Sequence, residues 1–204
     1  MVLKLEFFRI QRLILINNRT KNMLGKYNLH NLKMIESSIP SMYTSYKNER
    51  IQIIIYANSL KGIQCIASLS LEQQNNGFYR NSGFSGAYYG FGELLYIMAF
   101  VELNKINKCL IADDRGLSDC ALHFYEKLNN STNISVTEHN NFKSYHKHIS
   151  DEDILIYNTL INNHVNNNLT QQQFNIILEQ AYDLGEYMLP ENNIIDRNQL
   201  FNDF

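Results

Sequence analysis

Between residues 51 and 137, apolar positions fall in short regular runs whose period switches from two to three-and-a-half and back. Ile51-Gln52-Ile53-Ile54-Ile55-Tyr56-Ala57 is short and β-branched, which predicts a buried strand. Asn58 to Gly62 supplies turn residues. Ile63 to Leu71 then alternates, with Ile63, Cys65, Ala67, Leu69 and Leu71 on one face and Gln64, Ser68 and Ser70 on the other; Ile66 is the exception. That pattern predicts a hairpin with one buried face. Gln73 to Gly86 is polar, Gly-rich and aromatic, a loop or a loop leading into a short strand near Gly83 to Tyr88. Gly92 to Ile106 is the clearest helix, since Leu94, Ile97, Met98 and Val101 recur at helical spacing and Leu95, Ala99, Phe100 and Leu103 widen the apolar arc. So apolar a helix needs cover, and a sheet is the usual cover. Lys108 to Ala112 reads as a strand. Ser118 is an N-cap with Asp119 at the positive end of a helix carrying Ala121, Leu122, Tyr125 and Leu128. Asn133 to Thr137 reads as another strand. The order is an α/β (α+β) pattern: a mixed sheet flanked by helices.

The flanks differ. Leu3 to Ile10 reads as a strand, Arg12 to Lys26 as a helix or loop, and Pro40 as a break. Farther on, Ser150-Asp151-Glu152-Asp153 resembles a capping box before Ile154, Leu155, Tyr157 and Ile161. Thr170-Gln171-Gln172-Gln173 is a second box, ahead of Phe174, Ile177, Leu178 and Ala181, with Pro190 as the stop. The reading is a domain over residues 1–145 and a helical C-terminal extension over 146–204. The apolar stripe of that extension predicts self-association or assembly contacts through residues 150–190. His146 and His148 flank Lys147, with His139 nearby, in what reads as a solvated loop rather than a metal site.

Composition narrows the classes. The 204 residues are 45% hydrophobic and 19% charged, enough for a core and too apolar for disorder. A net charge of −2 gives no whole-chain field toward nucleic acid or anionic lipid. No run of about 18 uncharged apolar residues spans a membrane, and Met1 to Arg9 lacks the continuous apolar segment of a signal peptide. The expected location is cytoplasmic or within a viral particle. Cys65, Cys109 and Cys120 lack paired spacing and read as reduced, buried thiols.

The chemistry concentrates between Ala87 and Leu128. Gly90-Phe91-Gly92 enters the long helix, where small residues let the backbone approach a pyrophosphate and the first-turn N–H groups bind it. One strand later comes Ser118-Asp119-Cys120-Ala121-Leu122-His123-Phe124-Tyr125-Glu126-Lys127-Leu128. Together these resemble the two motifs of the GNAT N-acyltransferase superfamily. Gly90 and Gly92 match its two small loop positions, Ala121 its helix alanine, and Phe124-Tyr125-Glu126-Lys127-Leu128 its helix end. The resemblance implies that Tyr89, Gly90, Phe91, Gly92, Glu93, Ser118 and Ala121 bind acetyl-CoA as acyl donor to an unidentified amine. It also implies that Tyr125 protonates the departing thiolate. Ala87 replaces the family's Gln or Arg, Ser118 its Asn, and Asn129-Asn130 its terminal Gly-Phe. Glu72, at the end of the Ile63–Leu71 run, is a candidate base. Tyr125 also reads as a core aromatic, and Glu72 as a solvated strand-end carboxylate.

Gly92-Glu93 and Asp114-Arg115-Gly116-Leu117-Ser118 further resemble a divergent GNAT-like group of phage genomes, consistent with heavy use of Asn, Ile, Lys and Tyr. Two rivals remain. One is a non-catalytic GNAT-like structural or adaptor protein, as in a virion. The other is a PIN-like nuclease using Glu93, Asp113 and Asp114, whose chemistry needs clustered carboxylates around a divalent cation.

Overall fold

A computed structural model describes residues 40–59, 62–82, 85–87, 91–112 and 119–186. The readings for Leu3 to Ile10, Arg12 to Lys26 and Pro190 lie outside the described residues.

In chain order the elements are β1 (Ser41–Lys47), β2 (Arg50–Ser59), β3 (Gly62–Gln73), β4 (Tyr79–Asn81), β5 (Gly86–Ala87) and α1 (Phe91–Lys105), followed by β6 (Leu110–Ile111), α2 (Asp119–Asn129), β7 (Ile134–Glu138), β8 (Lys143–Lys147), α3 (Asp151–Asn166) and α4 (Gln171–Glu186). The strands form one sheet in the order β1-β2-β3-β4-β6-β8-β7, with β5 also on β3. Among the described strands every pairing is antiparallel except β4 with β6, the two strands that α1 connects. This is the mixed, helix-flanked sheet that the pattern predicts.

Two features of the β1-β2-β3 meander escape simple alternation. β1 turns into β2 through Asn48 (φ 49°) and Glu49 (φ 63°), two consecutive left-handed residues as a type I′ turn requires. With no glycine at the turn and only mixed burial along Ser41–Lys47, nothing in the sequence signals this strand. In β3, Ile55 faces Ala67 while Tyr56 faces Cys65, so Ile66 is the extra residue of a bulge. The single buried face expected for Ile63 to Leu71 is therefore split. Ala67, Leu69 and Leu71 join Ile51, Ile53, Ile55 and Ile66 on one side of the sheet, while Cys65 joins Ile54 and Tyr56 on the other. One inserted residue inverts every side chain beyond it.

Helices cover both faces. On the first, α1 buries Phe91, Leu94, Leu95, Met98, Ala99 and Phe100 against the β2-β3 aliphatic rows, joined by Tyr125 and Leu128 of α2 and Tyr157 and Leu160 of α3. Glu102 of α1 is buried there too, accepting from the hydroxyls of Tyr46 on β1 and Tyr157 on α3. Burial and the Glu102 carboxylate both push these phenols up, so they stay protonated donors. On the second face, Ile177 and Ala181 of α4 pack against Ile54, Tyr56 and Cys65. The C-terminal end of α3 reaches edge strand β1, where Asn163 donates to the Pro40 carbonyl (3.1 Å) and Asn167 to the Ser41 hydroxyl (2.7 Å).

Both capping boxes form. Ser150 and Asp153 bond reciprocally at the start of α3, and Thr170 and Gln173 do so before α4. The loop expected around His146 is instead strand β8, which pairs with β6 and β7 and buries Ser144 and Tyr145. Backbone pairing on both sides makes a strand of the polar sequence Lys-Ser-Tyr-His-Lys, a signal that side-chain periodicity does not carry. The stripe expected to mediate assembly is occupied within the chain: Ile177 and Ala181 are buried on the sheet, and Phe174 meets Tyr43 edge-on at 4.9 Å.

Candidate functional site

The element that positions the site is the β4-β5-α1-β6 crossover. β4 and β6 pair in parallel through only two positions, Tyr79 with Leu110 and Arg80 with Ile111. Beyond them the chain of β4 continues along β3 as β5, where Gly86 faces Ser68 and Ala87 faces Ala67. Among the described residues β5 has no pairing with β6.

α1 follows β5 in the chain. Phe91 is fully buried and anchors the first turn. Among the described residues, a side chain added at Gly92 would meet no heavy atom within 4 Å. Glu93 is exposed in the same turn and interacts favourably with the positive helix end. Of the other expected donor-site residues, Ala121 lies on α2, and Tyr89, Gly90 and Ser118 fall outside the described residues, as do Asp113 and Asp114.

Tyr125 sits on the buried face of α2, only 5% exposed, with ring contacts to Tyr145 of β8 (5.4 Å) and Phe124 (5.6 Å). Phe124 in turn stacks on Tyr96 of α1 at 4.1 Å, which ties α2 to α1. The phenol is therefore held rigidly on the same side of the sheet as α1. A base opposite it is not brought near. Glu72 is on the second face, under the side of the sheet that α4 covers, because it shares a row with Ser70 and with Ser68, whose hydroxyl donates to Ala181 (3.0 Å). Four residues of β3 separate Glu72 from Ser68, the partner of Gly86, or about 13 Å at the usual rise per residue. The Glu72 carboxylate instead takes a hydrogen bond from Arg50 at 3.3 Å.

Glu72 does belong to a second, polar arrangement that the sequence reading missed. Ser45, Lys47, Asn48, Arg50, Gln52, Ser70 and Glu72 line a groove of about 160 Å³ across β1, β2 and β3. Finding it required β1: once the hairpin at Asn48-Glu49 is known, the register alone sets Lys47 beside Arg50 and Arg50 beside Glu72.

Gly86 has a packing role. A β-carbon there would overlap the carbonyl oxygen of Leu184 and come within 2.7 Å of its carbonyl carbon, so the end of α4 rests directly on β5. Cys65 is buried, with its pKa pushed up to about 12 by desolvation, and the half-buried Cys109 is raised by the same cause. Among the described residues no three His, Cys, Asp or Glu side chains group to hold a metal, and no helix is long and apolar enough to cross a membrane. No family model matches the chain, and neither a curated protein nor a solved structure matches it.

Proposed function

We propose that the chain is a GNAT-like acyltransferase that moves an acyl group, most simply acetyl, from CoA to an amine. The observation that carries this reading is the parallel pair β4–β6, which covers two positions and has α1 in the connection between its strands. Acetyl-CoA supplies an activated thioester on an extended arm with two amides. Strand edges suit such an arm, because an amide chain can bond to them as an added strand would. Room at Gly92 among the described residues suits phosphates approaching the first-turn N–H groups of α1.

In this reading the chain holds the donor, excludes water with the α1–α2 aromatic layer, and delivers one proton. Attack by the amine on the thioester carbon breaks the carbon–sulfur bond, and the Tyr125 hydroxyl gives its proton to the departing sulfur. With Glu72 on the other face, water rather than that carboxylate takes the proton from the amine.

Tyr125→Phe is expected to leave acyl-CoA affinity nearly unchanged and to lower turnover about 10²–10⁴-fold, the usual worth of general acid catalysis. Gly92→Val is expected to fold normally, since a β-carbon there meets no described heavy atom within 4 Å, yet to weaken acyl-CoA binding. Equal turnover by Tyr125→Phe and wild type would remove the tyrosine from the chemistry. The burial of Tyr125 beside Tyr145 favours a second reading, a non-catalytic structural or adaptor module built on the same fold. Mostly antiparallel pairing gives the nuclease reading the least support, because that alternative calls for an all-parallel sheet.

A further inference from the structure

We infer that β7, one edge of the sheet, pairs antiparallel with β7 of a second copy of this chain, so that two sheets join across a two-fold axis at Val136. Strand phase comes first. The His148 N–H donates to the Asn133 carbonyl (2.9 Å) and the His139 N–H to the Phe142 carbonyl (2.9 Å), so the odd-numbered residues of this segment bond inward to β8. Ile134, Val136 and Glu138 therefore turn their backbone groups outward. Among the described residues nothing bonds the outward N–H of Val136 or of Glu138. The strand Ile-Ser-Val-Thr-Glu carries no proline, lysine or bulge, the usual means of blocking an edge.

Two further observations identify the occupant. An axis at Val136 sets Val136 opposite itself, Ile134 opposite Glu138, and Ser135 opposite Thr137 of the second copy. Outward groups then meet outward groups along the strand, the exposed serine and threonine form polar cross-strand pairs, and the two glutamates lie at opposite ends. Each Glu138 already pairs with Lys143 of its own β8 at 2.9 Å, so no unpaired charge enters the contact. The second observation is α2, which packs over β7, whereas α1 lies inward over β3 and β8. Phe124 faces α1 through its stack on Tyr96. Residues two apart on a helix differ by about 200°, so Leu122 points the other way, past the β7 edge. It is 47% exposed. The axis brings both copies of α2 to the same side of the joined sheet, each with Leu122 toward the axis. Five strand residues and one leucine per copy make a small interface, so the dimer dissociates in the micromolar range.

The test is sedimentation equilibrium of the full chain from about 1 to 500 µM, a range that brackets such a constant. The inference expects a shift from one copy to two and no larger species. Ser135→Lys with Thr137→Lys sets like charges directly opposite across the axis and should abolish the dimer; Ser135→Glu with Thr137→Glu should do the same. Mixing these two variants should restore it, since each lysine then meets a glutamate. Leu122→Lys should weaken the dimer about tenfold. All three positions are exposed, so at the lowest concentration each variant should melt as the wild type does. A wild type that stays a single copy throughout overturns the inference. So does a dimer that the paired lysines leave intact, or a mixture that stays monomeric. Should the paired variants fail to fold, Leu122→Lys decides alone, and an unchanged dimer overturns the inference. The measurement contains no acyl-CoA, so it stands apart from the enzymatic reading.

Discussion

At the scale of single residues, close approach and protonation give the sharpest expectations. Gly86→Ala should lose about 1–3 kcal/mol, the usual result of forcing atoms into a packed site, because the Leu184 backbone has nowhere to retreat but off the sheet. Urea unfolding measures it, and an unchanged midpoint would place the end of α4 elsewhere. His164 gives a pH dependence. Its Nδ1 lies 2.7 Å from the Tyr56 hydroxyl, and burial lowers its pKa below the usual histidine value. A histidine lowered in the folded state contributes stability that is fully present above about pH 6.5 and is lost as pH falls through the folded pKa. Wild type should therefore lose stability from pH 7 toward 5, and His164→Gln should show a flatter profile over that window. Asp153 acts lower still: burial alone would raise it, but hydrogen bonds from Lys147 and Ser150 overrule burial and carry it below the ordinary carboxylate range. Its contribution disappears only below about pH 4. Sequence reading placed Cys65 and Ala67 on one face because alternation was the only rule available. Ile66, the residue that broke the pattern, was the visible trace of the bulge.

At the scale of elements, local signals were legible wherever they were strong. The 3.6-residue period of α1, the two capping boxes and the aliphatic run of β2 each correspond to an observed element within a residue or two. β1 and β8 were not legible, since their stability comes from pairing with neighbours rather than from their own apolar residues. The helices after residue 150 were legible as helices but not in their role, because an apolar stripe does not reveal whether it meets its own sheet or another chain. That distinction has a consequence. Removing residues 171–204 should expose Ile54, Tyr56 and Cys65, all buried beneath α4. At about 1.5–3 kcal/mol for each large side chain, the loss is on the order of 5 kcal/mol, comparable to the whole stability of a domain. The truncated chain is expected to unfold or aggregate by circular dichroism and light scattering. A folded truncation would show instead that α4 is an accessory to the sheet.

At the scale of the whole molecule, one mixed sheet carries two distinct features on opposite faces. The first face holds α1, α2 and α3; the second holds α4 and the polar groove. The fold class and the α1 crossover were readable from residues 51–137 because alternating strands and helices leave few arrangements of a sheet. Where the two residues expected to be catalytic sit was less readable. Glu72 and Tyr125 lie in order along the chain but on different faces, and only the register of β3 reveals that separation. The proposed reading has an acyl-CoA bound at the start of α1. Calorimetric titration of the full chain with acetyl-CoA, repeated with Gly92→Val, tests it most directly. The account predicts saturable one-to-one binding by the wild type, a stability gain of about 2.7 kcal/mol at 100 times the dissociation constant, and markedly weaker binding by a Gly92→Val variant that still melts as the wild type does. Absence of heat and of any thermal shift with acetyl-CoA and longer acyl-CoAs would contradict it and leave the non-catalytic module as the better reading.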